Sequence, residues 1–344
     1  FNFVYHYLGD YDSAAWIYNR MPEVRQNAVR GNIPSGWALN PNLIERIPVA
    51  FDWLYQTKTP NNYFIAGDSG AGYVNPTLLL PPRELSGLPS GADAWIEHNT
   101  RYYRRLNCSI TGFLLNGFAH ELTEESNRMY LMFSGDGVMT QYHWMPKENK
   151  RDHLLEHMPV VTMIQDIGGP VEEAAKAIVN CAKPGETTFL SFRSILVGPE
   201  WIRAVNEQAQ ADRPDSRFEP VDPYTYFYLQ RHHLGGKNEN RATYTFDTLP
   251  DALAAGRKVR VAAGVRNDGW ETWQNSGERS VKLSFGFGES PRQWVSLPDE
   301  VPPGKGTVIC FEVQAPNESG EHVFTLEMVK GENGRIVRSL GSTS

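Results

Sequence analysis

From Phe1 to about Arg231, short apolar runs alternate with amphipathic helical patterns. A chain satisfies that order by laying its strands parallel and covering them with the intervening helices. The runs that read as strands are Phe3–Leu8, Pro34–Leu39, Asn62–Ala66, Ser109–Leu115, Met129–Phe133, Pro159–Ile164, Thr187–Phe192 and Tyr224–Leu229. Helical patterns fall at Pro41–Thr57, Ala92–Leu106, Pro170–Ala182 and Pro199–Ala211, several opening on proline, which the first helical turn tolerates. The expected class is α/β, a (β/α) barrel-like domain of seven or eight parallel strands over residues 1–235.

A barrel is favoured over an open doubly wound sheet by the residues that follow the strands. Asp10 and Asp12, Asn40, Asp68, Asn116, Asp136, Gln165 and Asp166, Arg193 and Asp222 form one polar series. In a barrel such positions converge on one mouth, whereas an open sheet scatters them along an edge. Asp and Asn also cap helices after any strand, which accounts for part of the series.

After His232 and His233, the glycine-rich polar segment GGKNENRA reads as a linker, and helical periodicity ends. ATYTF, KVRVAAGVRN, SVKLSFGF, TVICFEVQA and HVFTLEMV alternate as strands between turn clusters. Residues 236–344 are therefore expected to form an immunoglobulin-like antiparallel β-sandwich, with Trp270 and Trp273 available for sugar stacking or for its core.

A net charge of −7 with mixed signs and no basic run argues against nucleic acid and anionic membrane surfaces and suits a neutral substrate. No apolar run approaches the ~20 residues of a membrane span. Cys108, Cys181 and Cys310 include no close pair, so neither a disulfide framework nor a cysteine zinc site is indicated. GAG and GGP lack the strand-to-helix context of a dinucleotide site, and no phosphate-binding loop is present, so no cofactor is expected. The chain begins at Phe1, inside an apolar segment, which suggests a mature or trimmed form with an upstream region. The oligomeric state is open.

The chemistry concentrates in Asn61–Pro76, NNYFIAGDSGAGYVNP, where a buried strand runs into a glycine-rich turn carrying Asp68, Ser69, Tyr73 and Asn75. Upstream, YLGDYDSAAW sets Asp10 and Asp12 just after a strand, a pair able to share acid–base work, hold a metal or bind a sugar hydroxyl. Asp136 in FSGDG and Asp166 in QDIGG each follow an apolar run and precede a glycine. A glycosidase needs two carboxyl groups about 5 Å apart for retention or ~6.5–9.5 Å for inversion, and a barrel mouth supplies either.

The order YLGDYDSAAWIY, RGNIPSGWALNP, NNYFIAGDSGAGYVNP resembles the GxGYxYP family of glycoside hydrolases. The naming motif reads GAGYVNP, with Asn75 at the motif's second tyrosine and Pro76 kept; the family's SDGDN-like element reads LGDYDS, with Ser13 at its asparagine. The resemblance implies a (β/α) barrel-like catalytic domain, a carbohydrate substrate and thus a secreted or periplasmic location. It implies Asp10 and Asp12 as the acidic pair, a motif loop of Gly70, Gly72, Tyr73 and Pro76, and Trp37 and Asn40 in the matching middle segment. The expected catalytic carboxyls are Asp12 and Asp136, with Asp10 orienting one of them and Asp166 in reserve. The expected substrate contacts are Trp37, Asn40, Asp68, Ser69, Tyr73, Asn75, Asn116 and Arg193.

Other readings are open to the same sequence. The altered position Asn75 and the accessory sandwich suit a glycan-binding protein on an enzyme-like scaffold. Asp10 or Asp12 with histidines suits metal-dependent removal of acyl groups from a polysaccharide. His153–His157, HLLEH, matches the inverted zinc-protease pattern provided that it is helical, although Pro159 follows at once. Ser69 lacks the GxSxG elbow of a serine hydrolase.

Overall fold

The structure, a computed structural model, describes residues 1–26, 29–83, 86–116, 121–142, 152–235, 241–269, 271–288, 290–331, 335–336 and 338–339. The chain divides into two compact units, Phe1–Leu234 and Gly235–Ser344.

The first unit contains strands β1 (Asn2–Gly9), β2 (Ser35–Leu39), β3 (Asn62–Ala66), β4 (Ile110–Asn116), β5 (Gly137–Tyr142), β6 (His153–Leu155), β7 (Met158–Thr162), β8 (Gln165–Ile167), β9 (Thr188–Ile195) and β10 (Phe218–Pro220). Its helices are α1 (Ala14–Asn19), α2 (Met21–Arg25), α3 (Leu43–Arg46), α4 (Pro48–Gln56), α5 (Ala92–Leu106), α6 (Glu124–Arg128), α7 (Val171–Cys181), α8 (Pro199–Asp212) and α9 (Pro223–Gly235). The strands follow the order β6-β7-β5-β4-β3-β2-β1-β9-β8, with β10 against the start of β1. All these pairings are parallel except β6 with β7.

The sheet is a curled half-barrel and not the closed barrel expected, because its hydrogen-bonded path has ends at β6 and β8. The free edge of β7 is taken by β6 in an antiparallel hairpin. Two residues span the gap beyond it: Met163 N–H bonds Thr140 O and Ile164 N–H bonds Ser191 O, each at 2.9 Å.

Period-2 alternation sorts β1 between the two faces. Tyr5 and Tyr7 join Ala38, Ile65, Ile110, Phe113, Met139, Val161 and Met163 on the concave side, where Tyr226 and Phe227 of α9 complete the cluster. Leu8 and its neighbours pack beneath the helices on the convex side. His6 is also buried there, held between Ser194 Oγ (3.0 Å) and Asn206 Nδ2 (2.9 Å), and burial lowers its pKa to about 4.

Two expected strands are helical. Met129–Phe133 is mostly a 3₁₀ turn, Met129–Met132, that continues α6 from a reciprocal Thr123–Ser126 capping box. Tyr224–Leu229 lies in α9, where Asp222 Oδ1 accepts the Thr225 N–H at 3.0 Å and Pro223 occupies the first turn. The Pro41–Thr57 pattern splits at Ile47, since Pro48 cannot donate the hydrogen bond that would continue α3.

The second unit holds two four-stranded sheets. One has the order β15 (Gly306–Gln314), β12 (Lys258–Asn267), β11 (Arg241–Asp247), β18 (Arg338–Ser339); the other β14 (Gln293–Ser296), β13 (Val281–Phe287), β16 (Phe324–Lys330), β17 (Arg335–Ile336). Inward residues of both, including Val261, Ile309, Leu283 and Met328, form one apolar core. Trp273 is buried in that core and offers no stacking surface, while Trp270 lies outside the described residues.

A methyl group at Gly137 would overlap the Phe227 ring, so β5 and α9 approach only because that residue is glycine. Phe227→Ala should cost about 3–5 kcal/mol. Gly137→Ala should also destabilise the protein, and in the double variant the loss should fall short of the sum by about 0.5–3 kcal/mol in denaturant unfolding, because the overlapping ring is gone.

Candidate functional site

At the C-terminal edge of the sheet, five adjacent strands in the order β3, β2, β1, β9, β8 deliver Asp68, Asn40, Asp10 with Asp12, Arg193 and Asp166. Two of these residues turn the chain themselves. Asp10 (φ 68°) and Asp68 (φ 53°) are left-handed, a region that aspartate tolerates better than most residues and that is found at sites held in place by their surroundings.

Asp12 and Asp68 meet. Asp68 is 1% exposed, and its Oδ2 accepts from Asn40 Nδ2 at 2.5 Å. The Asp12 carboxyl and the Tyr73 hydroxyl both lie within hydrogen-bonding reach of the Asp68 carboxyl. Burial, followed by the hydrogen bond and charge of Asp12, pushes Asp68 up to about 9. Asp68 therefore holds its proton at neutral pH and can donate it toward Asp12. Gly67 permits the approach, since a Cβ there would stand 3.1 Å from Asp12 Cβ.

Two tyrosines border the pair. The Tyr73 hydroxyl donates to Asp12 Oδ2 at 3.0 Å, although the residue is 61% exposed. Tyr7 is buried, and desolvation together with the charges of Asp12 and Asp68 holds its hydroxyl well above the ordinary value, as a neutral phenol. Its ring fits against Gly112, where a Cβ would come within 2.5 Å of it.

Phe113 is the common floor. Tyr7 stacks on it at 5.9 Å between centroids, Tyr73 meets it edge-on at 6.4 Å, and the Arg193 guanidinium sits 5.0 Å above the ring. Arg193 pairs with Asp10 Oδ1 at 2.8 Å and with Asp166 Oδ2 at 3.2 Å. Gln141 of β5 donates to Asp166 Oδ1 at 3.1 Å. The mouth thus has a proton-sharing carboxyl pair on one side and an arginine-bridged carboxylate pair on the other.

The motif loop is clamped from behind. Asn99 Oδ1 accepts the Ala71 N–H at 2.8 Å, while Asn42 Nδ2 (3.2 Å) and His98 Nε2 (3.0 Å) bond the Ala71 carbonyl. Gly70 (φ 128°) and Gly72 (φ 135°) supply conformations closed to other residues.

Several expected site residues lie elsewhere. Asp136 precedes β5 at the N-terminal edge, where it accepts from Ser109 and pairs with Arg231 at 3.2 Å, so the sheet separates it from Asp12. Trp37 is fully buried among the convex-side helices, edge-on to Tyr11 and covered by Arg25 at 5.6 Å, so it forms no stacking wall. Ser69 is buried, and its carbonyl accepts from Tyr130 at 2.7 Å. Asn75 Oδ1 caps the 3₁₀ turn Pro76–Leu79 through the Thr77 N–H at 3.0 Å. Asn116 ends β4, and its side chain lies outside the described residues. His153 is in β6 and His157 in the turn after it, so HLLEH forms no helix and the zinc-protease geometry is absent. Among the described residues no three His, Cys, Asp or Glu side chains converge as metal ligands, and none of the three cysteines is in a disulfide.

Tyr7, Phe113 and Gln141 were not expected. Each sits on a strand at a position that reads as core, and Gly112 beside Phe113 was the one available signal of a tightly fitted ring.

No curated protein matches the chain. A crystal structure of a "putative hydrolase" from Bacteroides thetaiotaomicron aligns at 18% identity and a TM-score of 0.50, over 67% of this chain and 45% of that one, and it shows the fold alone. The chain thus spans less than half the length of that structure. The archaellum periplasmic stator protein FlaG from Sulfolobus acidocaldarius (18% identity, 28% of this chain, 94% of that one, TM-score 0.20) carries no argument. Nor does a β-glucosidase from Erythrobacter marinus (12% identity, 81% of this chain, 42% of that one, TM-score 0.18). The family described as "GxGYxYP putative glycoside hydrolase C-terminal domain" matches residues 2–195, which contain every strand of the half-barrel except β10 and all the residues at its mouth, and the chain belongs to that family.

Proposed function

We propose that the first unit hydrolyses a glycosidic bond of an oligo- or polysaccharide, with Asp12 and Asp68 as a one-proton carboxyl pair. The observation that carries this reading is the burial of Asp68 against Asp12, which keeps a carboxylic acid protonated at neutral pH in an open mouth. Family membership supports the reaction class. Asp68 is too buried to touch a sugar, so Asp12 is the catalytic acid and Asp68 its positioning and proton-holding partner. Asp12 gives the shared proton to the glycosidic oxygen as the bond from that oxygen to C1 breaks, and positive charge develops on the ring. Asp10 and Asp166, bridged by Arg193, form the opposing wall, and Asp166, with 42% of its side chain exposed, faces the water that attacks C1. Asp166 takes a proton from that water as its oxygen bonds C1, and exchange with solvent returns a proton to Asp12. The exposed Tyr73 ring offers the sugar a stacking face, and an immunoglobulin-like accessory module and a secreted or periplasmic setting accord with a polymeric substrate.

Asp12→Asn should lower turnover of a cleaved oligosaccharide by about 10²–10⁴ while leaving the thermal transition in place, the range for loss of a positioned general acid. Full activity in this variant, read by mass spectrometry of the products, would sink the assignment.

Activity should fall as pH rises through about 9, where the pair loses its proton. Asp68→Asn keeps a donor toward Asp12 and an acceptor for Asn40 but holds no proton, so the alkaline limb should move to lower pH. An unmoved limb would assign it to another group.

The same burial fixes a stability trend. Asp68 is raised from 3.8 to about 9, so the native state keeps a proton that the unfolded chain releases. Its contribution is full below pH ~4 and is lost as pH rises through about 9, with a slope of at most about 1.4 kcal/mol per pH unit. The melting temperature of Asp68→Asn relative to the parent should therefore climb between these limits and level off above them.

A further inference from the structure

At the opposite edge of the sheet, the beginnings of β3 and β4 border a cavity of about 520 Å³. That size falls within the range of small-molecule sites and far exceeds the voids left by ordinary packing. Its lining includes Tyr55, Tyr63, Phe64, Tyr103, Phe133 and Tyr224. Lys58 and Arg104 stand at its margin, with Lys58 Nζ 5.4 Å from the Phe64 ring centroid. Among the described residues, neither cation is ion-paired to a carboxylate. Nearby carboxylates are already engaged: Asp136 by Arg231 and Ser109, and Glu45 by Arg101 and Arg105.

Reactive groups do not account for this cavity. Burial pushes the Cys108 thiol far up, so it stays protonated, and the Ser109 hydroxyl donates to Asp136 with no histidine in the wall. What remains is a recognition surface: aromatic side chains beside two cations that have no carboxylate partner among the described residues. A ligand with a ring to stack and a negative group to place between the cations satisfies both. Met132, 66% exposed at the rim, adds an adaptable contact.

We infer that this cavity binds a ring-bearing organic anion, in chemical class an aryl carboxylate or sulfonate, at a site separate from the carboxyl pair. The probe is 8-anilinonaphthalene-1-sulfonate, titrated at low ionic strength into the full chain and followed by fluorescence. Saturable binding at a single site is expected. The double charge reversal Lys58→Glu with Arg104→Glu, both at the protein surface, should weaken it at least about tenfold. Asp12→Asn should bind the probe as the parent does, since it alters the other edge. The uncharged N-phenyl-1-naphthylamine should bind at least about tenfold more weakly than the sulfonate. No saturable signal, an unchanged Kd after charge reversal, or equal binding of the uncharged analogue would each overturn the inference.

Discussion

The desolvation of Asp68 is the constraint on which the mouth of the half-barrel depends. A carboxyl group that is 1% exposed cannot remain charged without strong compensation, and the Asn40 amide and Tyr73 hydroxyl beside it are outweighed by burial and a second acid, Asp12. Retaining a proton is the remaining solution. That solution places demands on three successive strand ends, because Asp12, Asn40 and Asp68 follow β1, β2 and β3. Gly67 lets Asp12 come close enough, and the Asn42, His98 and Asn99 bonds to Ala71 keep the loop from relaxing away. The strained backbone at Asp68 persists because these contacts over-determine it.

The two ends of the sheet divide the remaining work. On the concave side α9 fills the N-terminal half, with Tyr226 and Phe227 packed on Tyr5 and Phe227 pressed against Gly137. Among the described residues, no helix of comparable bulk enters the C-terminal half of that cluster, which ends in Tyr7 and Phe113. Asp136 belongs to the filled end, where Ser109 and Arg231 satisfy it, and its neighbourhood reads as structural support.

Much of this was legible in the residues. The strand Asn62–Ala66 and helix Ala92–Leu106 coincide with β3 and α5, because each has a hard stop: Gly67 for one and the left-handed Asn107 for the other. Met129–Phe133 was not legible as helix, since a five-residue apolar run has no period, and its cap at Thr123 lacks the usual acidic or amide partner three residues on. In α9 the aromatic composition outweighed the Asp222–Pro223 start signal, and tertiary packing on Tyr5 decided the outcome. Asp136 misled for a related reason: with β5 unrecognised, an aspartate before a strand looked like one after it. The pairing of Asp12 with Asp68 could not be read at all, because a separation of 56 positions in the chain says nothing about which acids face each other.

Curl, more than any single residue, makes the mouth a site. Along the hydrogen-bonded path β5 and β8 are six strands apart, roughly 29 Å in a flat sheet at normal strand spacing. Yet Gln141 of β5 bonds Asp166 of β8 at 3.1 Å. Arg193 of β9 likewise lies 5.0 Å above Phe113 of β4, four strands away. The ladder leaves the ring open between β7 and β8, so these contacts among side chains, together with the backbone bonds of Met163 and Ile164, tie the margins together where β pairing does not. The arginine-bridged wall is thus both a source of charge at the mouth and part of what holds the mouth in shape. It follows that a change at Arg193 or Asp166 would disturb the separation between the two walls as well as their charge. The carboxyl pair is less exposed to such a disturbance, because Asp12, Asn40 and Asp68 follow adjacent strands, and the β2–β3 ladder beside them runs unbroken from Ser35 and Asn62 to Leu39 and Ala66.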